Sequence, residues 1–202
     1  MRTAMSQRTP GHTIHPLFAS RWSPRAFSGV PIGRDQLHAL FEAARWAPSA
    51  YNAQPWRFIY ALKGSEHWEA FLDLLLPFNQ RWAANAAALV FVVSKSTFVA
   101  PGKDAPAPLP SHAFDTGAAW ASLALQAAHD GLATHAMGGF DRERARALLQ
   151  LPADYALQAA VAIGHQGARD SLPEDLRARE QPSQREPLQR LVAEARFAPD
   201  LL

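Results

Sequence analysis

Apolar positions along this chain fall into two kinds of pattern, helical stripes and short runs, and prolines and glycines mark most of the changes between them. From Arg34 to Trp46, residues Leu37, Leu40, Phe41 and Ala44 recur at i, i+3, i+4 and i+7, the spacing of one buried helical face. Pro48 disfavours helical geometry at Ala47 and ends that helix. Pro55 bends the chain again before Trp56, Phe58 and Tyr60 alternate as a strand running to Leu62. Ser65 to Leu76 places Trp68, Phe71, Leu72 and Leu75 on one helical side, and Asn79 to Asn85 predicts a shorter segment. Ala88 to Ser94 (ALVFVVS) is continuously apolar, as expected of a central strand covered on both faces. Ala113 to Asp130 predicts a long alanine-rich helix capped by Gly131. Thr134 to Met137 and Gln158 to Gly164 read as two more strands, separated by a helix from Asp141 to Gln150 that opens on an acidic cap. Leu188, Leu191, Val192 and Ala195 form one stripe of a last helix, Pro187 to Phe197.

The order is mixed α and β, and no GxGxxG follows the first strand, which removes support for a dinucleotide-binding Rossmann domain. With 202 residues, 48% of them hydrophobic and six of them tryptophan, the chain can bury a substantial core as one domain. Residues 1–19 are expected to be a mobile arm. Residues 96–111, with four prolines after Ala100, are expected to be a lid loop, with Phe98, His112 and Phe114 as candidates to line it. Residues 170–202 have no core of their own, so this tail docks either on a second subunit or back on its own domain.

Composition narrows the chemistry. Cysteine is absent, so no disulfide, thiolate metal site or redox thiol is possible, and an oxidoreductase built on this chain must keep its electrons on a bound cofactor. Eight histidines are scattered without a ligand spacing such as HExxH, and no metal site is expected. The net charge of +2 comes mainly from residues 1–34, with five arginines and no acid, while residues 169–190 balance five arginines against five acids as a mixed solvated face. A coherent basic face for nucleic acid is missing. No apolar run is long enough to span a bilayer, and residues 1–16 lack the hydrophobic centre of a secretory signal, so a cytoplasmic location is expected.

Two segments carry the candidate chemistry. In APSAYNAQPWRF, Ala47 to Phe58, the side chains of Ser49, Asn52 and Gln54 offer donors and acceptors without charge, which suits the edge of a neutral heteroaromatic ring; an ordinary polar connection would look similar. In Arg21-Trp22-Ser23-Pro24-Arg25, two guanidinium groups flank a hydroxyl and can converge on one phosphate in a non-helical bend, the alternative being a solvated basic arm. In this order, with a helix between them, the two segments resemble the flavin-binding nitroreductase family. Its members pair an Arg-x-Ser-x-Arg/Lys opening with a Pro-Ser-x-x-Asn-x-Gln-Pro-Trp loop after the first helix. The resemblance continues through Phe78-Asn79-Gln80-Arg81-Trp82, Met137-Gly138-Gly139-Phe140-Asp141 and Pro182-Ser183-Gln184-Arg185.

The resemblance implies an α+β, three-layer fold in which a central mixed sheet is flanked by helices. It implies FMN as cofactor, NADH or NADPH as electron donor, a small-molecule acceptor such as a nitroaromatic or quinone, ping-pong kinetics, and a homodimer with FMN at its interface. Arg21, Arg25 and Arg185 would hold the phosphate, supported by Ser23 and, in the same bend, Trp22. Pro48, Ser49, Ala50, Asn52 and Gln54 would form the ring-side loop, Asn79 would bond the ring or ribityl chain, and Met137, Gly138 and Gly139 would run along the ring. Two positions depart from the family pattern: Trp82 stands where many members carry lysine, and Ser183 where many carry a second basic residue. Trp82 is therefore left with stacking, lining the pocket or core packing. No residue is assigned as acid or base. Reductive dehalogenation, flavin breakdown and non-catalytic flavin binding or sensing remain alternatives on the same scaffold.

Overall fold

A computed structural model describes residues 8–197. After a short helix α1 (Pro16–Ser20), the chain forms α2 (Arg34–Arg45), strand β1 (Trp56–Leu62), α3 (Trp68–Asp73), α4 (Pro77–Ala83) and β2 (Ala88–Lys95). Then come the two-residue strands β3 (Thr97–Phe98) and β4 (Ala107–Pro108), the long α5 (His112–His129), β5 (Ala133–Met137), α6 (Arg142–Leu148), β6 (Tyr155–Gly164) and a last turn of helix, α7 (Glu174–Arg177). The main sheet has the order β1-β2-β6-β5.

β2 explains the architecture. Its residues alternate between two cores: Leu89, Phe91 and Val93 face one that includes Trp68, Phe71, Trp82, Phe140 and Leu176, and Ala88, Val90 and Val92 face another that includes Leu37, Leu40, Ala44, Leu123 and Ala127. The sheet is thus sandwiched between α2 with α5 on one side and α3, α4, α6 and α7 on the other. The fold is α+β in three layers, and β2 is apolar from Ala88 to Val93 because both faces of the strand are covered.

Several boundaries move for identifiable reasons. All three pairings of the main sheet are antiparallel among the described residues, a simpler arrangement than the expected mixed sheet. β6 starts at Tyr155 rather than Gln158, because beyond an irregularity at Val92/Val93 the end of β2 continues to pair with Tyr155 to Leu157. The stripe from Ser65 to Leu76 yields helix only at α3, since the Leu75 backbone bridges Phe140 instead of continuing the spiral. Asp141 caps α6 by accepting from the Arg144 N–H (3.0 Å), and Gly131, at φ +75°, ends α5 as expected.

In the lid region, β3 and β4 form a small hairpin anchored by buried Leu109. Within the expected arm, α1 packs on α5; residues 1–7 lie outside the described residues, as do residues 198–202 of the tail. The predicted helix Pro187 to Phe197 is replaced by one 3-10 turn, Leu188–Arg190, with Leu188, Leu191 and Val192 exposed. An isolated stripe of that length gains too little to offset helix nucleation unless it has a surface to pack against.

Candidate functional site

Arg21 leaves α1 in extended geometry, and the bend that follows is held from several sides. His135 on β5 donates from Nδ1 to the Pro24 carbonyl (2.9 Å). The Glu180 carboxylate accepts the backbone N–H groups of Arg25 and Ala26 (2.9 Å each), and the Gly167 N–H donates to the Ala26 carbonyl (2.8 Å). With their backbone so fixed, Arg21, Trp22, Ser23 and Arg25 line a cavity of about 340 Å³ together with Arg8, His135, Arg179, Gln181, Ser183 and Arg185. The structure therefore brings the three sequence-predicted arginines together and adds two more.

The electrostatics of this cavity are those of an anion site. Burial, with Arg8 and Arg185 close by, pushes the Arg21 guanidinium below its ordinary pKa. Burial and Arg179 do the same to Arg25, against a smaller opposing effect of Glu180. Arg25 Nε is buried with no hydrogen-bond partner among the described residues. Arg8 donates to the carbonyls of Ser183 (2.8 Å) and Arg21 (2.7 Å), and Arg185 reaches Ser183 Oγ (3.0 Å), so the N-terminal and C-terminal segments close the cavity together. Burial lowers the pKa of His135 as well, and Arg25 and Arg21 lower it further against its backbone hydrogen bonds; it serves here as a neutral donor.

β5 leads from this cavity to the second predicted element. Three residues beyond His135, roughly 10 Å along an extended strand, Gly138 and Gly139 meet the start of α4. Both the Leu76 N–H (3.0 Å) and Asn79 Nδ2 (2.9 Å) donate to the Gly139 carbonyl. A Cβ at Gly139 would lie 2.6 Å from Asn79 Nδ2, so glycine permits this approach. The Met137 side chain, by contrast, belongs to the core. Trp82 does too: it is 1% exposed, stacked on Phe27 and 4.6 Å from the His135 ring, so of its three possible roles the structure selects packing, behind the residue that supports the bend.

The loop carrying Pro48, Ser49, Ala50, Asn52 and Gln54 is strained and pinned. Tyr51, Asn52 and Gln54 all have φ near +50°, conformations that non-glycine residues adopt at a cost. Ser49 Oγ accepts the Gln54 N–H (3.0 Å), and buried Asp115 on α5 accepts the Ala50 N–H (3.2 Å) while bound by Ser111 Oγ (2.9 Å). Tyr51 stacks on Phe98 of the hairpin with centroids 5.6 Å apart, so loop and lid are joined. His112 Nδ1 is paired with buried Ser94 Oγ (2.7 Å), and Phe114 is exposed.

Within one chain the loop and the arginine cavity are separated by α5. Asp115 holds the loop, whereas Ala124 shares a cavity with Arg21 and Ser23. Nine residues apart, they differ by about 14 Å along the axis and half a turn around it. Sequence reasoning missed Glu180, Arg179, Arg8, His135 and Asp115. None sits in a motif, and the first two lie in a stretch whose balanced charges suggest a solvated face. Among the described residues no cluster of potential metal ligands occurs, and no helix is long and apolar enough to cross a membrane.

Known proteins share this fold and much of this sequence. A solved structure of an oxidoreductase containing FMN superposes with a TM-score of 0.92 at 44% identity, covering 98% of this chain and 99% of the other. An NADH dehydrogenase of Thermus thermophilus is 30% identical over 199 residues, 85% of this chain and 91% of that protein. Other curated relatives are matched over about half their length or less, among them the CLA biosynthesis enone reductase of Lactiplantibacillus plantarum (36% identical over 74 residues, 36% of this chain and 34% of that one). The sequence also matches the Nitroreductase family over residues 18–79 and 64–165, a span that holds the bend, the strained loop, the Asn79–Gly139 contact and both faces of the central sheet. With fold, motifs and relatives in agreement along most of its length, the chain belongs to the nitroreductase family.

Proposed function

We propose that the protein is an FMN-dependent oxidoreductase that takes electrons from NADH or NADPH and passes them to electron-poor small molecules such as nitroaromatics or quinones, in the cytoplasm. The observation that carries this reading is the cavity formed by Arg8, Arg21, Arg25, Arg179 and Arg185, where like charges crowd one another and Arg25 Nε has no hydrogen-bond partner among the described residues. A terminal phosphate dianion fits that arrangement, relieving the repulsion and engaging guanidinium forks in charge-assisted hydrogen bonds. The related structure containing FMN and the relative described as an NADH dehydrogenase support both ends of the electron path.

Arg21, Arg25 and Arg185, with Ser23, hold the phosphate. Asn79 and the backbone of Gly138 and Gly139 take the ribityl chain and ring, and the uncharged groups of Ser49, Asn52 and Gln54 suit the ring edge. FMN held there would supply the redox chemistry that links a reduced nicotinamide to the acceptor. The protein's task is position and field; no side chain is assigned as a proton donor. Because α5 separates loop and cavity, a complete site draws its loop from a second copy. That copy would also cover the exposed Phe114, Leu191, Val192 and Phe197. A purely flavin-sequestering role rests on Trp82 obstructing the site, and its place in the core leaves that role without support.

If donor and acceptor occupy one position in turn, initial rates with NADH or NADPH and a quinone give parallel double-reciprocal lines, and each substrate inhibits competitively against the other at high concentration. Intersecting lines would contradict the shared position.

A further inference from the structure

Glu180 is 7% exposed and is not among the residues that line the cavity. It lies on the wall behind the arginine cavity, between Arg179 and Gln181, whose side chains line that cavity. A buried carboxylate so close to Arg25 and Arg179 would ordinarily bond a guanidinium. Its oxygens instead accept backbone N–H groups from a segment more than 150 residues away: Oε1 from Arg25 and Ala26 (2.9 Å each), Oε2 from Arg25 (3.0 Å). Together with His135 on the Pro24 carbonyl and Gly167 on the Ala26 carbonyl, these bonds hold both N–H groups of Arg25 and Ala26 and the two carbonyls that flank Arg25. Arg25, its backbone N–H held from behind by Glu180, lines the cavity. The same bonds fix the C-terminal segment that brings Arg179, Ser183 and Arg185.

We infer that Glu180 is a positioning residue that joins the 21–25 bend to the 179–185 segment, so that their arginines converge on one anion and the protein prefers a phosphorylated flavin to an unphosphorylated one. The assignment presupposes the FMN reading. Glu180 does not touch the ligand; it acts through the backbone of Arg25 and Ala26. The role requires an acceptor oxygen rather than a charge, since Oε1 alone reaches both amides.

The test compares FMN with riboflavin, which has the ring but no phosphate, by quenching of flavin fluorescence on the full-length protein freed of flavin. Glu180→Ala should weaken FMN at least about tenfold while riboflavin changes less than about threefold. Glu180→Gln, which keeps an acceptor at Oε1, should stay within about threefold of the unsubstituted protein for both ligands. Should Glu180→Ala fail to fold, Glu180→Asp, whose carboxylate is withdrawn by one methylene, should show the same selective loss. An unchanged FMN-to-riboflavin ratio in the variant that folds, or equal loss of both flavins, would overturn the role. So would a Glu180→Gln protein as impaired as Glu180→Ala. An unsubstituted protein that binds riboflavin as tightly as FMN would instead overturn the functional reading, and the role of Glu180 with it.

Discussion

Replacing Arg21 and Arg25 together by alanine should weaken FMN by roughly 10²- to 10⁴-fold, since each charge-assisted hydrogen bond contributes about 1.5–3 kcal/mol. Riboflavin should change less than about threefold, because it offers these guanidinium groups no phosphate. The contrast follows from the cavity itself: Arg25 Nε is buried without a partner among the described residues, and Arg21 faces Arg8 and Arg185. For the same reason the flavin-free variant should be no less stable than the unsubstituted protein, since the substitutions remove like charges from a half-buried cluster. Arg25→Lys should recover only part of the affinity, because an ammonium keeps the charge but not the planar fork. Fluorescence titration with both flavins checks all of this, and equal loss of the two would show that these arginines do not meet the phosphate.

The second large effect is on stability. Trp82→Ala removes a large, fully buried side chain packed between Phe27 and His135, and should cost roughly 3–5 kcal/mol. At about 2–4 °C per kcal/mol for a chain of this size, the unfolding midpoint should fall by roughly 6–20 °C. The His135 ring would lose its support, so FMN affinity should fall with stability. Acceptor preference should not change, which separates a core residue from one that lines the substrate path. Thermal unfolding followed by circular dichroism measures the first effect, and rates with two dissimilar acceptors the second. A midpoint shift of less than about 2 °C would contradict the packing role.

Much of this molecule was legible from local pattern. The α2 stripe, the doubly buried β2, the Gly131 stop and the Asp141 cap each follow from a period or from one residue's chemistry, and each is where the pattern put it. The bend Arg21 to Arg25 and the convergence of Arg185 on it came from motifs whose order along the chain mirrors a spatial arrangement. The contacts between distant segments left no sequence signal. Glu180 looks like one acid in a solvated, charge-balanced stretch until the fold turns it toward the Arg25 amide, and Asp115 looks like an ordinary first-turn acid of α5 until it receives the Ala50 N–H. Trp82 could not be placed by its type alone, since an indole serves cavities and cores equally well. The final stripe, Leu188 to Ala195, misled because periodicity reports a face that could be buried, and no surface within the described residues buries it.

The central claim is that this chain carries FMN and cycles it. Its most direct test is the absorbance spectrum of the purified protein, followed by identification of the flavin released on denaturation and anaerobic addition of NADH or NADPH and then a quinone. The expected result is bound flavin bands, FMN as the released species, bleaching by a reduced nicotinamide and recovery of colour with the quinone. Release of FAD, failure to take up either flavin, or a bound flavin that no nicotinamide bleaches would contradict it.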